Sequence, residues 1–153
     1  MMRRLLILLV LSLIMVSGCA SRSHRLNFSY WPEGFPTEAV VGVAEHLADM
    51  MVANYPPGYT SFFLSLTGDS KDELGPALEA ALRSRGFTLA PEKGGQALTV
   101  SYVLDRVDEA TWYSKLAISD GFSLTRTWSW TEGGLAMEAA TKTGRLENSD
   151  GQK

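Results

Sequence analysis

The first apolar run of the chain, Leu5 to Val16, contains a single polar residue, Ser12, and follows two arginines. It is too short to cross a bilayer, because a membrane-spanning helix needs about 20 apolar residues. A basic start, a short apolar stretch and small residues at its end are typical of a secretory signal peptide. We therefore predict that residues 1–18 form a signal peptide that is removed from the mature chain.

The only cysteine of the chain, Cys19, follows Val16, Ser17 and Gly18 at the end of this run. An aliphatic residue, two small residues and a cysteine resemble the bacterial lipobox, in which the thiol accepts a diacylglyceryl group. A buried thiol and ordinary cleavage without modification are the alternatives. We predict cleavage between Gly18 and Cys19, with diacylglyceryl and N-acyl lipid on Cys19 as a stable membrane anchor.

Downstream of the run, the apolar positions follow helix and strand periods. Spacings of three and four residues predict a helix from Thr37 to Asn54 and a second helix from near Gly75 to the stop at Gly86. The fold class predicted is α+β, with two helices packed on a mainly antiparallel sheet in the order α-β-α-β-β-β-β and the last four strands in a meander. Alternating apolar positions place the strands at 59–66, 87–90, 96–105, 110–118 and 122–130.

The turn between the last two predicted strands can be chosen from the burial pattern. A two-residue turn would pair Ile118 with the polar Ser123, whereas a three-residue loop at 119–121 pairs Ile118 with Phe122. A shift of one residue exchanges the two faces of a strand. We therefore predict the three-residue loop, with Gly121 in the left-handed conformation.

Residues 19–36 are predicted to be the lipidated cysteine and a flexible tether, because the serines, the asparagine, the glycine and the two prolines there argue against a helix. The tether nevertheless carries four aromatic rings, and exposed rings invite non-specific association. We predict that they bind a partner, with docking on the chain's own domain as the alternative. Residues 37–137 would form the domain, and 138–153 a disordered tail. The candidate partner-binding residues are Phe28, Tyr30, Trp31 and Phe35.

The net charge of the mature chain and the two residues after Cys19 indicate which partners and which membrane to expect. Removal of residues 1–18 leaves 14 − 2 = 12 basic and 17 acidic residues, a net charge of −5 with histidine neutral. This disfavours direct nucleic-acid binding, which needs clustered lysine and arginine. Aspartate after the cysteine would resemble an inner-membrane retention signal, but Ala20 and Ser21 stand there. We predict an outer-membrane anchor with the domain in the periplasm.

No catalytic constellation emerges from the sequence. The Gly68-Asp69-Ser70 stretch looks like the nucleophile segment of GDS-type esterases, but these need a histidine base near the C-terminus. The only histidines are His24 and His46, and His46 is expected to be solvated on the polar side of the first helix. Neither histidine has metal-ligand spacing around it. We predict a protein that is not an enzyme, with no catalytic, cofactor-binding or metal-binding residues.

Two longer stretches, "ELGPALEAALRSRGF" and "LTVSYVLDRVDEATWYSKLAISDGFSLTRTW", together with the lipobox, resemble the TrbH family of conjugal transfer lipoproteins. The resemblance covers about 37–137, and the chain departs from the family pattern at Pro76, in the aromatic tether and at Trp128 and Trp130. It implies a structural role in a conjugative type IV secretion system at the outer membrane, with other channel subunits as partners and no enzyme activity. The alternative is an outer-membrane lipoprotein that assists a cell-wall synthase or a secretin.

Overall fold

The computed structural model describes residues 28–131 and 133–145. The predicted α+β class and element order are confirmed, and a sixth strand follows the fifth. The signal peptide at 1–18 and the anchor Cys19 lie outside the described residues. No helix within these residues is long and apolar enough to span a membrane. The elements are α1 (Thr37–Asn54), β1 (Ser61–Leu64), α2 (Leu74–Ser84), β2 (Thr88–Leu89), β3 (Leu98–Arg106), β4 (Thr111–Ile118), β5 (Phe122–Thr131) and β6 (Gly134–Arg145).

The six strands form one sheet in the order β2-β1-β3-β4-β5-β6. β1 runs parallel to both β2 and β3, whereas β3 to β6 pair antiparallel in succession. The prediction that β2 starts the meander was wrong, because β2 lies at the opposite edge. The reason is the connection through α2: a helical crossover brings the next strand back parallel to the first.

The strand β6 replaces part of the tail predicted at 138–153. It pairs with β5 along its length, from Thr131 opposite Gly134 to Phe122 opposite Arg145. The prediction was wrong up to Arg145, and residues 146–153 lie outside the described part of the chain. Backbone pairing with β5 holds this strand although its only large apolar residues are Leu135 and Met137. The sheet therefore extends beyond the predicted domain boundary at 137.

Both helices cover the same face of the sheet and enclose one hydrophobic core. From α1 the core takes residues at helical spacing, and from β3, β4 and β5 it takes alternate residues, so the sequence periods decide which side chains are buried. The buried residues of α1 are Ala39, Val40, Val43, Ala44, Leu47, Ala48 and Met51. Those of α2 are Leu74, Gly75, Leu78, Ala81 and Leu82.

The hairpin between β4 and β5 has the predicted three-residue loop. Leu116 lies opposite Leu124, and the backbone N–H of Gly121 donates to the carbonyl oxygen of Ile118 at 3.0 Å. Gly121 has a φ of 94°, in the left-handed region. The prediction from face matching is confirmed.

Replacing Gly121 by valine should destabilise the domain by about 1 kcal/mol or more, because a β-branched residue is strained at positive φ. Thermal unfolding followed by circular dichroism should show a melting temperature several degrees lower. Gly121→Asn is the matched control, because asparagine tolerates this conformation far better. Equal melting temperatures for the two variants would contradict the turn assignment.

Candidate docking surfaces

The segment before α1 is docked on the sheet. The Tyr30 backbone N–H donates to the Tyr102 carbonyl at 2.9 Å, and the Leu104 N–H donates to the Tyr30 carbonyl at 3.1 Å. Beside these bonds, the Ser29 hydroxyl accepts the Tyr102 N–H at 3.1 Å and donates to the Ser65 carbonyl. β1 is too short to pair with all of β3, so this segment satisfies backbone groups that would stay open. The prediction of a flexible tether up to residue 36 was therefore wrong for the part from Ser29 onward.

The four aromatic residues of the segment divide into two pairs. Phe35 is buried at 6% exposure, and its ring meets Trp112 edge-on with the centroids 5.0 Å apart. Trp31 packs against this core, with its centroid 5.8 Å from that of Phe35. The partner-binding prediction is therefore wrong for Phe35, and Trp31 serves the domain's own core. Phe28 and Tyr30 remain 62% and 43% exposed, and for them contact with a partner stays a prediction.

A second candidate surface is a cleft of about 370 Å³ between the N-terminal half of α1 and the sheet. Its sheet side is formed by a tryptophan of the core, a half-buried tryptophan and a glycine, and its helix side carries two small and two polar residues. A cleft with apolar walls and a few polar groups is the usual form of a binding site. We name it the tryptophan cleft; its lining residues are Glu38, Ala39, Gly42, His46, Trp128, Trp130 and Gly134.

Gly42 lines the tryptophan cleft at an exposed position of α1. A Cβ atom built at Gly42 would meet no atom within 4 Å, so close packing does not require glycine there. Glycine in a helix interior is nevertheless less stable than alanine by roughly 0.5–1 kcal/mol. The helix therefore carries a destabilising residue at a position that lines the cleft.

The polar group at the inner side of the cleft is His46. Its ring meets Trp128 edge-on with the centroids 5.4 Å apart, and within the described residues its buried Nε2 atom has no hydrogen-bond partner. Burial, and then the positive charge of Arg126, lower the pKa of His46. The expectation of a solvated histidine was wrong: the imidazole is half-buried and favours the neutral form.

The lowered pKa of His46 predicts a pH-dependent stability. Below about pH 6.5, the ordinary value for histidine, the unfolded chain binds a proton that the folded chain resists, so stability falls as the pH decreases. Above that pH both states are neutral at this site and the effect vanishes. Urea unfolding at pH 7.5 and at pH 5.5 should show the loss, and His46→Gln should reduce it. His24→Gln is the control and should leave the pH dependence unchanged.

The Gly68-Asp69-Ser70 stretch is part of the turn that leads into α2. The Asp69 Oδ1 accepts the Lys71 N–H at 2.9 Å, and the Asp69 N–H donates to the Thr67 hydroxyl at 3.1 Å. These bonds close the turn before the helix, which begins only at Leu74. Within the part of the chain that the structure describes, no three histidine, cysteine, aspartate or glutamate side chains could hold a metal ion.

The carboxylate that caps α2 is Asp72. Its Oδ1 accepts the Gly75 N–H at 3.0 Å, and its Oδ2 accepts the Thr67 hydroxyl at 2.8 Å and the phenol of Tyr102. Burial and the adjacent Asp72 raise the pKa of the Tyr102 phenol. A Cβ at Gly75 would lie 2.8 Å from Cδ2 of Leu66 and collide with that phenol. These contacts give Asp72 and Tyr102 a structural role, because they join α2 to β3.

Two features of the sequence could have indicated the tryptophan cleft. Gly42 stands inside a helix where neither a turn nor a close contact needs it, and Trp128 and Trp130 are alternate residues of one strand. Which helix residues face these indoles depends on the packing of α1 across the sheet. That packing is visible in the structure alone.

Comparison with known proteins places the domain in a family. The family model described as "Conjugal transfer protein TrbH" matches residues 24–145, which include all eight elements and both candidate surfaces. No curated protein and no solved structure matches the chain. The family match covers well over half of the 153 residues. The chain therefore belongs to the TrbH family of conjugal transfer proteins.

Proposed function

We propose that this protein is an outer-membrane lipoprotein and an assembly component of the conjugative type IV secretion system. The observation that carries the proposal is the family match over residues 24–145, directly behind a lipobox that ends in Cys19. The anchor would hold the domain in the periplasm, and the domain would bind other channel subunits. With a mature net charge of 12 − 17 = −5, direct contact with the transferred DNA is not part of the proposal.

The tryptophan cleft is the surface that supports subunit binding best. Indole rings are enriched at the centres of protein interfaces, where a few aromatic anchors supply most of the binding energy. The space beside Gly42 can accept an apolar side chain. Glu38 at the rim would attract a basic residue. The occupant we propose is a segment of another transfer subunit with an apolar side chain next to lysine or arginine.

The anchor is tested by metabolic labelling with a palmitate analogue in donor cells whose own copy of the gene is deleted. The wild-type chain should be labelled and should restore transfer, because the lipid keeps the domain at the membrane. Cys19→Ser should remain unlabelled and restore transfer poorly. Ser21→Ala is the matched control and should behave as wild type. Equal labelling of the Cys19→Ser chain would contradict lipidation, and full transfer by an unlabelled chain would contradict the anchored role.

A further inference from the structure

The docked segment limits the distance between the predicted anchor and the domain. Because Ser29 and Tyr30 are bound to β3, only residues 20–27 stand between Cys19 and the first described residue, Phe28. Even fully extended, this spacer reaches at most about 30 Å. A free chain up to residue 36 would reach about twice as far. The start of the domain is thus confined to a layer close to the membrane that holds the lipid.

The residues at this start are the exposed aromatic ones. Phe28 is 62% exposed and Tyr30 is 43% exposed, whereas Phe35 in the same segment is buried. Nearby, Leu66 is 51% exposed next to Ser65, whose carbonyl accepts the Ser29 hydroxyl. Large apolar side chains are therefore uncovered at the point of the domain that the anchor keeps nearest to the bilayer.

We propose that Phe28 and Tyr30 rest in the interfacial region of the bilayer to which Cys19 is anchored, an inference that depends on the proposed lipidation. Aromatic side chains favour the boundary between headgroups and acyl chains, where the ring is apolar and the tyrosine hydroxyl stays hydrated. The anchor supplies a high local concentration of lipid surface, so each ring needs little affinity of its own. Arg22 and Arg25 stand between the anchor and Phe28, so attraction to anionic lipid adds to the contact at low salt, whereas the apolar contact of the rings persists at high salt.

The proposal is tested with a fluorescent probe on the lipidated full-length mature chain. Cys19 is the only cysteine and its thiol is blocked by the lipid, so Phe28→Cys creates a unique site for an environment-sensitive dye. Tyr59→Cys is the control, because Tyr59 is 93% exposed and precedes the start of β1. Phe28 lies near the opposite end of β1, since its neighbour Ser29 bonds to Ser65. The proteins are reconstituted in phosphatidylethanolamine and phosphatidylglycerol vesicles with or without a quencher on the acyl chains.

The dye at position 28 should be quenched by the lipid-borne quencher several-fold more than the dye at position 59, at low and at high salt alike. Equal quenching at both positions would overturn the proposal. Transfer of the dye at position 28 into an apolar environment only after other transfer subunits are added would also overturn the proposal, because a protein and not the bilayer would then cover these rings. Flotation of the same vesicles tests lipid anchoring separately from the contact of the rings with the bilayer. If the wild-type chain does not float with lipid, the proposed anchoring is wrong, whatever the quenching shows.

Discussion

Plasmid transfer should fall by more than about tenfold when Gly42 is replaced by leucine, although the domain itself should become slightly more stable. Gly42 lines the tryptophan cleft, and a side chain there would fill the space that the proposed occupant needs. Loss of a central interface contact typically costs about 2 kcal/mol or more, and about 1.4 kcal/mol already changes an equilibrium tenfold. Removing a helix-interior glycine contributes roughly 0.5–1 kcal/mol of stability. Mating frequency and thermal unfolding measure the two effects.

Val41→Leu is the matched control for this experiment. Val41 is the neighbouring residue of α1, is 59% exposed and does not line the cleft. Its substitution should leave both transfer and stability near the wild-type values, since exposed substitutions usually change stability by less than about 0.5 kcal/mol. Normal transfer by a stable Gly42→Leu protein would contradict a role for the cleft in docking.

Replacing Phe35 by alanine should destabilise the domain by about 3–5 kcal/mol, the usual cost of truncating a buried phenylalanine. Phe35 is 6% exposed and sits edge-on against Trp112, so its removal leaves a cavity under the start of α1. Urea unfolding should show a large decrease in the transition midpoint. The loss of transfer that follows would reflect a poorly folded domain and not a lost contact with a partner.

Phe28→Ala in the same segment is the control for Phe35→Ala. Phe28 is 62% exposed, so its truncation should change the free energy of unfolding by less than about 0.5 kcal/mol. Similar destabilisation by the two substitutions would contradict the division of this segment into a buried part and an exposed part.

The parts of the fold that the sequence predicted are those in which side-chain burial decides the structure. The register of the β4–β5 hairpin follows from matching apolar residues across two strands, and Trp112 lies opposite Trp128 as that matching requires. The buried stripe of α1 follows from the helical period. In these cases a wrong register or a rotated helix would expose many apolar side chains at once.

The parts that the sequence did not predict depend on backbone pairing. β6 has few large apolar residues but pairs with β5 from Gly134 to Arg145, and Tyr30 bonds to β3 through its backbone. Such bonds form with almost any side chain, so composition alone predicted a tail and a tether at these positions. The tryptophan cleft was missed for a related reason, since it arises between α1 and the sheet and belongs to no single element.

Site-specific photo-crosslinking in mating donor cells tests the docking account most directly. A photoreactive amino acid replaces Glu38 at the rim of the tryptophan cleft or, as the control, Val52, which is 40% exposed near the other end of α1. If another subunit docks in the cleft, position 38 should form an adduct with another protein encoded by the transfer genes, and position 52 should not. Gly42→Leu should abolish the adduct at position 38. An adduct of equal strength from both positions, or none from position 38 in cells that transfer DNA normally, would contradict it.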